Sequence, residues 1–307
     1  MRKRFFLGIL LLNIILITGC GLKNHTSAPS SLQENAKEST EGNALPEENV
    51  STKEPETMSF SVKTVEIIVS ANDREIYVKG YVPDDESKHP AVLLSHGYNG
   101  SSSDFTNECK YYAENGFAAY ALDFCGGSVR SKSSGASTEM TIFTEKEDLL
   151  AAFEHISALE NVDSENIYLF GGSQGGLVTA LVAEEISDKI KGIAMYFPAL
   201  CIPDNWRNNY KTEKEIPEVT DFWGLKLGKV FFTSIRDFYT FENIGSFSKK
   251  VLIIQGDKDP IVPLSYVEQA AKLYTNAELV ILEGEAHGFS PAGAKTAMEK
   301  VLQFMQE

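Results

Sequence analysis

From Phe60 onward the apolar positions change period repeatedly, and each change marks an element. Residues 64–70 and 75–82 are β-rich runs on either side of Asn72-Asp73, a hairpin-type turn signal, and read as paired strands. Residues 91–95 (AVLLS) and 117–122 (FAAYAL) are continuous apolar runs, as expected of buried strands, with helical spacing over 104–114 and a stop at Gly116 between them. The alternation continues with a helix over 148–159, a strand over 167–170, a helix over 175–186 and a strand over 190–197. After an interruption come a strand over 251–255, a helix over 265–274, a strand over 278–282 and a helix near 292–305. Apolar strands alternating with helices predict a mostly parallel sheet covered on both faces. Right-handed crossovers make such a sheet doubly wound.

The interruption, residues 199–247, is too long for an ordinary loop. It holds both tryptophans, Trp206 and Trp223, together with Tyr210, Phe222, Phe231, Phe232, Phe238, Tyr239 and Phe241. Rings at that density must bury themselves on something. They predict a cap over the C-terminal edge of the sheet, where ligands of open α/β sheets bind, with Trp206, Trp223 and Phe231 as candidate substrate contacts. A small second core without substrate contact is the alternative, and the two are compatible.

Upstream of the domain the pattern is of another kind. Arg2, Lys3 and Arg4 precede an apolar run from Phe5 to Ile17, broken only by Asn13. That run is shorter than the roughly 20 residues a bilayer crossing needs and fits the apolar region of a secretory signal. It ends in Ile17-Thr18-Gly19-Cys20, which resembles a bacterial lipobox, the alternative being a signal anchor with an incidental cysteine. Lipidation of Cys20 would add two acyl chains, enough for stable anchoring at the outer side of a cell membrane. Residues 20–58 are rich in Ser, Thr, Asn, Glu and Pro and read as a disordered spacer. The chain thus divides into a signal peptide (1–19), a lipidated cysteine with its spacer (20–58) and one folded domain (59–307).

A formal net charge of -15 gives no surface for nucleic acid. Cys109, Cys125 and Cys201 form no disulfide framework and no CxxC pair, so neither a metal site nor a disulfide scaffold is expected, and all three read as small buried residues.

The chemistry concentrates at sheet edges. Gly171-Gly172-Ser173-Gln174-Gly175 follows a predicted strand and opens a predicted helix. A nucleophilic serine needs such a tight turn, with neighbours that lack side chains and a helix N-terminus that favours developing negative charge. The hydroxyl needs a base, and the base an orienting carboxylate. Of the histidines, His25 lies in the spacer, His89 precedes a strand at the opposite edge, and His155 lies in a helix. His96 is placed to brace its own loop. His287 follows the last strand and is the candidate base. For the acid, Asp257 and Asp259 compete in Gly256-Asp257-Lys258-Asp259-Pro260; Asp259 is preferred because Asp257 is close enough to the strand end to stabilise the turn. The backbone N–H groups of Gln174 and Tyr98, the latter in His96-Gly97-Tyr98-Asn99-Gly100, are the candidate oxyanion donors.

Together HGYNG, GGSQGG, GDKDPIVP and EAHGF resemble the bacterial α/β-hydrolase superfamily, and within it the cinnamoyl and feruloyl esterases and their serine-aminopeptidase-like relatives. The resemblance runs from about Phe60 to the C-terminus and implies an α/β-hydrolase fold with Ser173, Asp259 and His287 as catalytic triad and no metal or organic cofactor. One loop departs: many relatives carry Asp-x-Arg/Asn-Gly-His-Gly-x-Ser, whereas this chain reads Asp123-Phe124-Cys125-Gly126-Gly127-Ser128. The expected activity is hydrolysis of a small carboxylic ester through an acyl-enzyme. The alternatives are an aminopeptidase-like amide hydrolase, with Glu213, Glu215, Glu218 or Asp221 receiving the substrate ammonium, and a non-catalytic binding lipoprotein.

Overall fold

The computed structural model describes residues 59–307. The signal-like segment, Cys20 and the spacer lie outside the described residues, and no helix among the described residues is long and apolar enough to cross a membrane.

Strands β1 (Val62–Ala71) and β2 (Arg74–Pro83) pair antiparallel, Ala71 opposite Arg74. The two residues between them, Asn72 and Asp73, have φ of 50° and 60°, as a two-residue hairpin of primed type requires. There follow β3 (His89–Ser95), α1 (Thr106–Glu114), β4 (Ala118–Leu122), α2 (Ile142–Ser157), β5 (Val162–Gly172), α3 (Gln174–Glu185) and β6 (Gly192–Tyr196). The insertion supplies α4 (Ile202–Asn209), a hairpin of β7 (Val219–Phe222) and β8 (Leu225–Gly228), and α5 (Lys229–Ser234). The chain closes with β9 (Lys250–Gly256), α6 (Leu264–Leu273), β10 (Ala277–Leu282) and α7 (Pro291–Gln306).

The main sheet has the order β1-β2-β4-β3-β5-β6-β9-β10, parallel from β4 to β10. Helices α1 and α7 bury Tyr112, Val301 and Phe304 with Leu94 and Phe170 on one face. Helices α2, α3 and α6 bury Phe153, Val178 and Val267 with Leu93 and Leu169 on the other. This is the α/β-hydrolase fold, doubly wound as the pattern predicted. The connection after β3 runs to β4 on one side and the connection after β5 runs to β6 on the other, so the sheet's switch point lies between β3 and β5. Open α/β sheets bind their ligands there.

Two elements begin well before their patterns indicate. Strand β5 starts at Val162 rather than at residue 167. Helix α2 starts at Ile142 rather than at residue 148. Thr141 caps it, accepting the Thr144 N–H at 3.0 Å, while the Thr144 hydroxyl reaches back to the Thr141 N–H at 2.8 Å. A threonine does here what Glu or Gln does in the usual capping box, so the start signal is disguised. The first turn also buries Glu145, a residue an amphipathic reading assigns to solvent.

Within the insertion the rings pack on one another: Trp206 lies 4.6 Å from Phe232, and Phe222 stacks on Trp223 at 4.5 Å. Phe231, Phe232 and Phe247 are buried. Cys109, Cys125 and Cys201 are free and buried, as expected of small apolar residues.

Candidate active site

Ser173 sits between the end of β5 and the start of α3 with φ 52° and ψ -117°, a conformation that non-glycine residues hold only when the surroundings enforce it. Those surroundings are specific. The Ser173 N–H donates to Tyr196 O at 2.9 Å, and the Ser173 carbonyl accepts from Ala199 at 2.8 Å and Gly176 at 3.0 Å. The outer glycines of the motif are required sterically, because a Cβ on Gly175 would lie 2.2 Å from Ser95 O and one on Gly171 2.4 Å from Thr179 Oγ1. The turn is held by packing on both sides, and the hydroxyl projects past the C-terminal edge.

His287, on the loop after β10, places Nε2 at 3.1 Å from Ser173 Oγ and Nδ1 at 2.8 Å from Asp259 Oδ2. The Asp259 side chain is 1% exposed. Burial alone would raise its pKa, but N–H donation from Val262 and Ile261 and the contact with His287 outweigh it and hold the carboxyl below its usual range. Gln255 Nε2 adds a fourth donor at 2.9 Å. An ionised Asp259 accepts from Nδ1–H, which leaves Nε2 free to accept from the serine hydroxyl. Asp257 takes the other role considered for it, accepting the Gly284 N–H at 2.6 Å and pairing with Lys258.

Residues Gly97 to Gly100 form a turn closed by Gly100 N–H to Gly97 O at 3.0 Å, with Asn99 at φ 53°. Positive φ at the third position is the type II arrangement, which accepts Asn. A Cβ on Gly97 would lie 3.1 Å from Ser173 Cβ, so this loop approaches the nucleophile as closely as a backbone can. Among the described residues the N–H groups of Tyr98 and Gln174 have no protein acceptor. For Gln174 this follows from its place as first residue of α3. Two free donors flank Ser173.

His96 is buried and braces the loop. Its Nε2 accepts the Phe124 N–H at 3.1 Å, so Nδ1–H donates to Gly97 O at 2.7 Å. Burial lowers its pKa, consistent with the neutral tautomer these bonds need.

A cavity of about 400 Å³ opens beside Ser173, lined by Tyr98, Gln174, Trp206, Trp223 and Phe231 among others. All three ring residues proposed as substrate contacts thus border it. Asn205, Asn208 and Asn209 of α4 supply its polar wall, and no lining residue carries a formal charge. Glu213, Glu215, Glu218 and Asp221 do not reach it. Glu213 and Glu218 lie 3.8 Å from Lys229, Glu215 caps the Lys211 N–H, and Asp221 accepts from Gly224.

Three residues escaped the sequence reading. Phe197, at φ 36°, places its ring 4.5 Å from that of His287 and shields it. Gln255 serves Asp259 from inside β9, and Glu145 contacts Gln174 from α2. Only position relative to the motifs could have flagged them, since each partner lies elsewhere in the chain or on a fold-dependent face.

With this geometry in place, comparison with known proteins assigns the chain. A model of the prolyl oligopeptidase family matches residues 103–307, a span that includes Ser173, Asp259 and His287. The chain belongs to the prolyl oligopeptidase family. A second family model, acetyl xylan esterase, matches residues 26–146. The esterase Est1E from Butyrivibrio proteoclasticus, solved with ferulic acid bound, superposes with a TM-score of 0.70 at 26% identity, over 78% of this chain and 98% of that one. An esterase from Pyrobaculum calidifontis shares the fold, with a TM-score of 0.62 at 20% identity over 79% and 84% of the two chains. Caffeoylshikimate esterase from Arabidopsis thaliana is 26% identical over 136 residues, 43% of this chain; the match spans about 40% of that protein's length.

Proposed function

We propose that this protein is a serine hydrolase of carboxylic esters, acting through an acyl-enzyme on substrates with neutral aryl or apolar groups. The observation that carries the reading is the chain of contacts Asp259–His287–Ser173 opening onto an uncharged cavity. As Ser173 Oγ bonds to the ester carbonyl carbon, its proton passes to His287 Nε2 and the carbonyl electrons move to oxygen. The N–H groups of Tyr98 and Gln174 receive that oxyanion. Collapse expels the alcohol, which takes the proton from His287. Water then repeats the sequence, giving its proton to His287, and the acid leaves as Ser173 Oγ regains it.

Membership of a family named for a peptidase leaves the choice between ester and amide to the site. A substrate ammonium needs a carboxylate, and none lines the cavity. The Est1E and acetyl xylan esterase likenesses support the same choice. A fluorophosphonate probe should label the wild type and spare Ser173→Ala, and aryl esters should turn over faster than aminoacyl anilides. Equal labelling would remove the nucleophile, and preference for anilides would replace the esterase reading by the amide one.

The lipobox-like run ending at Cys20 supports anchoring at the outer side of a bacterial cell membrane. Cys20→Ala should then move the protein out of the membrane fraction.

A further inference from the structure

Beneath the nucleophile turn, α2 carries a carboxyl group that the reaction above does not use. Glu145 is 1% exposed, and its two oxygens lie 2.9 Å and 2.8 Å from Nε2 of Gln174. Gln174 is itself buried, borders the cavity and carries the N–H adjacent to Ser173. The contact joins α2 to the first residue of α3 across 29 residues of sequence.

The surroundings of Glu145 are anionic. Asp148, on the same helix, accepts the Cys125 N–H at 2.8 Å and lies 3.2 Å from Arg74. Arg74, the cation of this cluster, is shared between Asp148 and Glu147. On the loop after β3, the Tyr98 phenol is pushed up by burial first and then by the charges of Asp221 and Glu145. A charge on Glu145 would sit in direct contact with the Gln174 side chain, whose backbone N–H is one of the two proposed oxyanion donors. Burial pushes the Glu145 carboxyl up to about 8, against the bond from Gln174, which lowers it, and with Asp148 adding to the rise.

We propose that Glu145 is a positioning residue for the hydrolytic step: as a neutral acid it clamps the Gln174 side chain, fixing the start of α3 and with it the Gln174 N–H. A neutral carboxyl still accepts from Nε2 through its carbonyl oxygen. Once ionised, it would place a negative charge behind the site where the oxyanion forms, in surroundings that screen it weakly. This inference rests on Ser173 being the nucleophile.

The test is hydrolysis of p-nitrophenyl acetate by the full chain and by Glu145→Ala, Glu145→Gln, Gln174→Ala and the Glu145→Ala/Gln174→Ala double variant, with Ser173→Ala as control. Glu145→Ala should lose kcat by up to about 100-fold with little change in KM, since misplacing a group by about 1 Å costs on that scale. Glu145→Gln should restore most of it. The double variant should be no slower than Gln174→Ala, because Glu145 acts through that side chain. Wild-type kcat should fall as pH rises through about 8, and Glu145→Gln should lack that limb. Wild-type kcat in Glu145→Ala, multiplying losses in the double variant, or an unchanged alkaline limb in Glu145→Gln would each overturn the proposal. If Glu145→Ala does not fold, the pH profile of Glu145→Gln decides alone. Turnover persisting in Ser173→Ala would instead remove the serine mechanism. A dead Ser173→Ala beside a fully active Glu145→Ala removes only the positioning role.

Discussion

The two buried acids of α2 should make folding stability fall with rising pH, and Glu145→Gln isolates the larger contribution. Burial raises Glu145 from 4.5 to about 8, with Asp148 contributing, and burial raises Asp148 from 3.8 to about 6. A group that binds its proton more tightly in the folded state contributes stability that is complete below its unfolded pKa. That contribution is lost as pH rises through the folded value. For Glu145 the interval from 4.5 to about 8 corresponds to about 5 kcal/mol at 1.36 kcal/mol per unit. That is a third or more of the ~5–15 kcal/mol that holds a typical domain folded. The glutamine of the Glu145→Gln variant keeps the shape and one acceptor without the titration. Wild type and variant should therefore agree within about 1 kcal/mol at pH 5, with the variant more stable by about 5 kcal/mol at pH 9. With a urea slope of about 3 kcal/mol/M, the midpoints should separate by ~1.5–2 M. Buried His96, whose pKa is lowered, tilts stability the opposite way near its own titration, but it is common to both proteins and cancels in the difference. A wild-type to variant gap that stays constant from pH 5 to pH 9 would refute the reasoning.

Four further outcomes can be checked by steady-state kinetics and thermal melts. Ser173→Ala should reduce kcat for an aryl ester by about 10⁶-fold while leaving Tm within a few degrees, since alanine keeps the Cβ and the turn is unchanged. Asp259→Asn should lower kcat by about 10⁴-fold, because the amide no longer selects the tautomer with Nδ1–H. Gly97→Ala, whose Cβ would sit 3.1 Å from Ser173 Cβ, should lower kcat by about 10–100-fold by displacing the Tyr98 N–H; an unchanged kcat would show that the loop gives way without consequence. Trp223→Ala should raise KM for aryl esters by ~5–10-fold with little change in Tm, since Trp223 is 62% exposed and its stacking partner Phe222 remains.

The parts of this protein that were legible in its sequence are those whose physical cause is local. Asn72-Asp73 must turn because both residues sit at positive φ, and such pairs do so between β-rich runs. Gly171 and Gly175 are read as a nucleophile turn because no side chain fits there, and the distances to Thr179 and Ser95 bear out that crowding. What was hidden depends on partners distant in the chain. Glu145 precedes the helix expected over 148–159, and nothing in its own segment marks it for burial until α3 brings Gln174 against it, 29 positions away. Gln255 reads as one more strand residue, yet its amide donates to Asp259. The cap at Thr141 is local, but its return partner is Thr144 where the usual box has Glu or Gln, so the signature is incomplete.

The departure at Asp123–Ser128 illustrates the same division. Relatives place a histidine in this loop, and its loss suggests an altered pocket. No residue from 123 to 128 lines the cavity, whose wall comes instead from Tyr98, the insertion and the loop at Pro260 and Ile261. The loop works through its backbone, one carboxylate and the Ser128 hydroxyl, which donates to Asn99 O at 3.1 Å. Asp123 accepts from Ser102 and Lys132, the Phe124 N–H donates to His96, and the Cys125 N–H donates to Asp148. It therefore ties the loop that carries Tyr98 to the helix that carries Glu145, from behind the site. Backbone donors of that kind do not depend on side-chain identity, so the loop can lose a histidine and still hold His96 and Asp148 in place. A substitution that removes a donor is another matter: Cys125→Pro would unpair Asp148, already raised to about 6 by burial, and should cost several times more stability than Cys125→Ala or Cys125→Ser, as thermal melts of the three variants would show.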